Sequence, residues 1–425
     1  MQFENVTCPH CGLLCDDLSV EVTDLTVKLT DSAHPCAKPF AAASIDTNSL
    51  PTPLISGKPV SEKQALKKAV ELLRAAKLPL ISGLVADVQA CREAVALTEK
   101  LGGVIDHLNG RSIRKGTAVM QRIGEVRTTL AEVRNRADCV VIFGSGVPAR
   151  FPRLMERILT PEKTLGTENS NQKKIFILDV SSDGTTRCKT ENNISHIDLN
   201  YPLLESLVYR FQEVVTRPKE YFLEHNPESD PEHDKDTKQL FSILDTISNS
   251  QYTTLIWSVG DFNQESAEHT VQALTESIKT LMKNIRCVGL PLGGSKGEIT
   301  ASQVATWQTG VPLPVSFTQE SPIHNPVLYD GTTMLQNQEA DCLLWIATYN
   351  SDDVPPKHDI PTIVLGHPNM KCESAEVYLP VGIPGIDHRG LACRTDNVAT
   401  LPLHKIRDSK LPAASDLLNK LIELL

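Results

Sequence analysis

Four of the chain's eleven cysteines stand near its start, in the run Cys8-Pro9-His10-Cys11-Gly12-Leu13-Leu14-Cys15 and at Cys36. Spacings of two and three residues put three thiols on one tight loop, where thiolates can converge on a metal. The segment from Leu18 to Leu29 alternates through Val20, Val22 and Val27 and predicts a β-hairpin turning near Thr23-Asp24, which carries Cys36 back to the loop. Four sulfur donors suit a [4Fe-4S] cluster or a tetrahedral zinc, and four reduced structural thiols is the other reading of the same residues. The remaining seven cysteines sit in apolar contexts such as Asp138-Cys139-Val140-Val141 and read as small buried hydrophobes. An odd total argues against a disulfide framework.

Other chemistry is sparse. The chain has twelve histidines but no His-Glu-x-x-His zinc helix and no Gly-x-Ser-x-Gly nucleophile elbow, so an independent hydrolase is not indicated. His358, His367 and His388 are isolated in polar or proline-bounded loops and read as surface histidines. Gly293-Gly294-Ser295-Lys296-Gly297 has the composition of a phosphate cradle or of a simple turn. The formal charge of −10 opposes nucleic acid or an anionic membrane as partner. No apolar run reaches the ~20 residues that span a bilayer, and Met1 to Cys8 lacks the basic-then-apolar order of a secretory signal. A cytoplasmic location is expected.

Apolar strand-like runs at Leu78 to Leu84, Cys139 to Phe143, Lys174 to Leu178, Thr254 to Val259, Cys342 to Ile346 and Thr362 to Leu365 must position these residues. Helical patterns separate many of them: Ser61 to Ala76, opened by a Ser61/Gln64 capping box, and Gln89 to Leu101, stopped by Gly102-Gly103. Buried strands alternating with helices predict an α/β chain of several doubly wound parallel-sheet lobes. Ligands in such folds sit beyond the strands' C-terminal ends, so Gly144-Ser145-Gly146 and Thr348-Tyr349-Asn350 are expected to face clefts or to be tight turns. The expected division is a four-cysteine lobe over 1–50, α/β lobes over 51–250 and 251–375, and a small C-terminal segment over 376–425. Thr160 to Gln172 and Arg217 to Thr237 read as polar surface loops. Ala414 to Leu425, with leucines at 417, 418, 421, 424 and 425, is either a core helix or an assembly contact, core packing being favoured.

The stretch Cys8 to Asp17 resembles the B subunit of formylmethanofuran dehydrogenases, whose Cys-Pro-x-Cys-Gly-x-x-Cys-Asp-Asp run binds a [4Fe-4S] cluster. The likeness continues through Gly102-Gly103-Val104-Ile105-Asp106, Glu132 to Asp138, Thr306-Trp307-Gln308-Thr309-Gly310 and Leu335 to Asp341. It implies a molybdopterin-oxidoreductase-like fold, in which tungsten or molybdenum, held by two pterin dinucleotides and a cysteine or selenocysteine, interconverts formate and CO2. The residues for that chemistry depart from the family pattern. The metal-binding Asn-x-x-x-Cys-His-Gly-Pro-like stretch is here Asn109-Gly-Arg-Ser112-Ile-Arg-Lys-Gly116, leaving Ser112 in a degenerate position without a soft thiolate. A Gly-Cys-Asn-Pro-like pterin loop is replaced by Gly144-Ser145-Gly146-Val147-Pro148, and an Asp-Pro-Arg-like turn by Asp179-Val180-Ser181-Ser182, which removes a cation from the phosphates. Glu373 and Asp387-His388-Arg389 fall in regions that border the cofactor in relatives.

On this resemblance the chain looks like the B subunit of a bacterial formyltransferase/hydrolase complex of tetrahydromethanopterin-linked one-carbon metabolism, taking formaldehyde carbon to formate. Its implied partners are an amidohydrolase-like A subunit, a formyltransferase D subunit and a C subunit. The implied role is scaffolding with the tungsten or molybdenum pterin absent. The alternative is an active metal-pterin formylmethanofuran dehydrogenase catalytic chain.

Overall fold

The computed structural model describes residues 1–165, 173–183, 185–218, 220–222, 231–293 and 296–425. Part of each expected polar loop, and Gly294 and Ser295 of the glycine-rich run, lie outside the described residues. The chain divides into two compact units, 1–110 with 294–425, and 111–293.

The first unit contains an eight-stranded sheet. Its middle is parallel: β7 (Val104–Ile105), β6 (Pro79–Val85), β15 (Cys342–Ala347), β16 (Thr362–Gly366) and β17 (Val377–Pro380) lie side by side. Antiparallel strands close the edges, β14 (Val315–Ser316) beside β7, and β4 (Leu54–Ile55) and β5 (Lys58–Pro59) beyond β17. Every residue of β6, β15, β16 and β17 is buried, the mark of strands covered on both faces. Helices Glu62–Ala75, Val88–Leu101, Glu298–Thr309 and Ala414–Leu424 supply one continuous core with Ile81, Leu344, Ile346 and Leu365. The expected capping box forms at Ser61, and Gly102 ends its helix in the left-handed conformation, φ 63°.

At the N-terminus, β1 (Gln2–Val6), β2 (Leu18–Thr23) and β3 (Thr26–Leu29) form a small antiparallel sheet. The expected hairpin is present, Thr23 facing Thr26 across the turn, and β1 adds a third strand that the sequence reading omits. The C-terminal residues are no separate lobe. The hairpin β18 (Gly390–Cys393) and β19 (Thr400–Leu403) and the last helix belong to the first unit, with Leu417, Leu418 and Leu421 in its core. These leucines are core residues, in line with the favoured reading of that helix.

The second unit has six strands in the order β10 (Arg187–Glu191), β11 (Ile194–Leu199), β9 (Lys174–Val180), β8 (Cys139–Phe143), β12 (Tyr252–Trp257) and β13 (Arg286–Pro291). All neighbours are parallel except the edge pair β10 and β11. Helices Leu204–Thr216 and Ala267–Leu281 build its core with Phe143, Phe211, Leu255 and Trp257. Strand order reverses direction between β6 and β15 in the first unit and between β8 and β12 in the second. Those are the points where parallel α/β sheets open a crevice.

Candidate functional site

The loop between β1 and β2 carries Cys8, Cys11 and Cys15. It folds back on itself through left-handed residues, Gly12 at φ 74° and Leu14 at φ 50°, and the Cys8 N–H donates to the Cys15 carbonyl at 2.7 Å. Cys36 precedes the helix Ala37–Ala42, and its N–H donates to His34 Nδ1 at 3.1 Å. Cys8, Cys15 and Cys36 are buried and Cys11 is half-buried. A hydrogen bond with the Cys36 thiol, then burial and the neighbouring Cys11, push the Cys8 thiol up, while the His10 backbone N–H works the other way. The hairpin thus brings Cys36 to Cys8, as its spacing requires. Among the described residues no three His, Cys, Asp or Glu side chains gather closely enough to share a single metal ion. Four soft sulfurs, with a backbone N–H turned onto one of them, are donors of the kind that an iron–sulfur cluster or a zinc ion takes.

His10 lies within this loop. It is buried, and neither ring nitrogen has a hydrogen-bond partner. Burial, and then the nearby His367, hold its pKa down to about 4. Its ring stands edge-on to Phe40, with centroids 5.2 Å apart.

Thr348-Tyr349-Asn350 does follow a parallel strand at the reversal point of the first sheet. Tyr349 is buried, and it lines a pocket with Pro9, Gly12 and Leu14 of the cysteine loop and with Thr395. Its hydroxyl and that of Thr395 have no hydrogen-bond partner. Beyond β7, His107 is fully engaged: Nδ1 accepts from the Asn109 N–H at 2.9 Å, and Nε2 lies 3.1 Å from the Lys296 carbonyl. Asn109 Nδ2 donates to Glu298 at 3.2 Å. The Lys296 ammonium pairs with Asp353, whose other oxygen accepts from Asn350 at 3.1 Å.

In the second unit, Gly144-Ser145-Gly146 also follows a strand at a reversal point. The Ser145 N–H donates to Asp179 at 2.9 Å. Gly146 is held to glycine because a Cβ there would come within 2.6 Å of the Asp261 carboxylate, and Asp261 pairs with Arg150. Ser112 lies on the helix Gly110–Ile123, half-buried, and a Cβ on Gly260 would stand 3.9 Å from its hydroxyl.

No family model matches the chain. Curated relatives do. The B subunit of tungsten-containing formylmethanofuran dehydrogenase 2 from Methanocaldococcus jannaschii is 27% identical over 421 residues, covering 95% of this chain and 93% of that protein. The protein of the same name from Methanococcus maripaludis is 25% identical over 412 residues, 93% of this chain and 92% of that one. The B subunit of the formyltransferase/hydrolase complex Fhc from Methylorubrum extorquens is 25% identical over 324 residues, 76% of this chain and 82% of that one. Along nearly its whole length the chain is thus similar to B subunits of formylmethanofuran dehydrogenase. The solved FhcABCD complex of M. extorquens with methylofuran contains a chain that superposes with a TM-score of 0.69 at 21% identity, covering 88% of this chain and 99% of that one. The α/β architecture is therefore shared with that chain as well.

Two expectations need correction. His367, expected on the surface, is buried, because it directly follows β16: its N–H donates to the Ala347 carbonyl, and burial holds its pKa down to about 4. Cys188 is exposed on the edge strand β10, and Cys372 is half-buried, so not all seven scattered cysteines are core residues. Asp387, whose residue type alone gives it no role, forms a fully buried two-pronged pair with Arg407 at 2.7 and 2.8 Å. Arg407 also donates to the carbonyls of Leu25 and Ala43. No local pattern announces a buried histidine or a partner twenty residues away. For His10 the available signal is its place inside the cysteine run.

Proposed function

We propose that the chain is the B subunit of a formyl-carrier complex of the formyltransferase/hydrolase type, acting as a scaffold without a tungsten or molybdenum pterin. The observation that carries this reading is Ser112. Where the family's metal-binding thiolate stands, the chain has a hydroxyl on a helical turn with Arg111, Ile113 and Arg114. A hydroxyl is a poor donor to a soft metal. The cations at the strand ends are also committed: Arg150 to Asp261 and Lys296 to Asp353. In either unit, a phosphate group that called on this cation would have to displace its carboxylate. The metal-pterin does not fit these residues.

The M. extorquens relative belongs to a complex named for formyl transfer and hydrolysis. The solved complex holds methylofuran. By that likeness the chemistry resides in partners, hydrolysis in an amidohydrolase-like A subunit and transfer in a D subunit, with a C subunit completing the assembly. Formaldehyde carbon leaves it as formate. The exposed side chains of Trp307, Val327 and Leu328 supply apolar surface of the kind that subunit contacts use. The four cysteines are candidate ligands of an iron–sulfur cluster or a zinc ion, apart from any metal-pterin.

Co-expression with the A, C and D subunits tests the reading. The complex is expected to hydrolyse the formyl carrier, to reduce no dye with formate, and to keep its rate within about twofold in Ser112→Ala, as a group outside the chemistry should. Formate-dependent dye reduction that Ser112→Ala abolishes would establish the dehydrogenase alternative instead.

A further inference from the structure

The narrow cleft that Tyr349 and Thr395 line in the first unit is rich in hydrogen-bond donors. Tyr349 is 2% exposed and Thr395 4%, and neither hydroxyl has a partner within the protein. Each has given up its hydrogen bond to water without replacement, a cost that phenylalanine and valine in these places would avoid. The phenol keeps its proton, because burial, and then Asp87, push its pKa well above the ordinary value. A third hydroxyl, that of Thr300, lines the same cleft; its oxygen accepts the Cys393 N–H at 3.0 Å and its proton is left to donate. The start of the twelve-residue helix Glu298–Thr309 completes the lining. Its N-cap is Gly297, left-handed at φ 72°, which has no side chain to cap the N–H groups of the first turn.

Charge narrows the choice of occupant. Among the described residues that line the cleft there is no lysine or arginine, the one charged side chain is Glu298, and Asp87 is near enough to act on Tyr349. An anion would face these carboxylates without a counter-charge. A cation would face the positive end of a helix. An uncharged group meets neither penalty. An amide carries an acceptor oxygen beside a donor N–H, which matches a lining of hydroxyl and backbone N–H donors beside one carboxylate.

We propose that this cleft binds a small uncharged amide, whose carbonyl oxygen accepts from the Tyr349 and Thr395 hydroxyls at the start of the helix Glu298–Thr309. The site is independent of the four thiols and of Ser112.

The test uses the full chain with 13C at the phenol carbon of its tyrosines, titrated by NMR with acetamide and, separately, with acetate, the anion of the same shape, at constant ionic strength. Tyr349→Phe identifies the Tyr349 signal. Acetamide is expected to shift that signal saturably in the millimolar range, and acetate to leave it in place. Thr395→Val should weaken acetamide about three- to tenfold, as the loss of one hydrogen bond between neutral groups requires, and Thr395→Ser should retain it. Should Thr395→Val fail to fold, the comparison of acetamide with acetate on the wild type decides. A Tyr349 signal that does not saturate with acetamide, that responds equally to acetate, or that titrates unchanged in Thr395→Val would overturn the proposal.

Discussion

His107 shows how a single side chain links the strand ends to stability. Burial holds its pKa down to about 4, below the ordinary value of 6.5, so the fold favours the neutral ring. Its contribution is complete above pH 6.5 and is lost progressively as the pH falls from there toward 4, where the folded state also takes up the proton. The shift corresponds to on the order of 3 kcal/mol. Thermal unfolding of the wild type should therefore weaken steeply across that window. His107→Gln should flatten the profile, and parallel curves for the two proteins would refute the assignment. Asp387 and Arg407 make the second prediction at this scale. Both are buried, so Arg407→Leu leaves a carboxylate without its counter-charge and should cost about 3–5 kcal/mol in denaturant unfolding. The cysteine run was legible because thiol spacing is a local property. The burial of His10, His367 and Asp387 was not, because it depends on which distant segments cover them.

Among the elements, β6 bears the most consequential departure from regularity. Gly83 and Leu84 are both left-handed, at φ 82° and 54°, and the pairing of β6 with β15 slips between Trp345 and Ala347. A Cβ on Gly83 would come within 2.6 Å of the Ile346 carbonyl. Gly83→Ala should destabilise the protein by on the order of 3 kcal/mol, measured by chemical unfolding, and a neutral effect would mean that the bulge relaxes freely. Leu421→Ala should cost about 2–5 kcal/mol in the chain by itself, because Leu421 belongs to the core of the first unit. If the last helix were chiefly an assembly contact, that variant would lower complex yield and leave the isolated chain's stability alone. Helix ends and strand cores were readable in advance, since caps such as Ser61 and Gly102 and runs such as Cys139 to Phe143 encode themselves. The bulge was not, because a lone glycine in an apolar run is compatible with a regular strand.

For the whole molecule, the parallel α/β class and the small N-terminal sheet follow from the alternation of apolar runs and helical patterns. The division into units does not. The first unit is assembled from both ends of the chain through the pairing of β6 with β15, and the second is inserted between them in sequence. Boundaries near 50, 250 and 375 follow composition, whereas the compact units follow long-range strand pairing, which no local composition records. The functional reading depends on this arrangement of sheets. On the proposed reading Ser112 stands in place of the thiolate of relatives named as tungsten-containing, and internal ion pairs take up Arg150 and Lys296. Metal analysis of the intact complex, purified anaerobically from its native source grown with tungstate and molybdate, tests that claim most directly. The account predicts neither tungsten nor molybdenum above background. Either heavy metal at close to one equivalent per chain would contradict it.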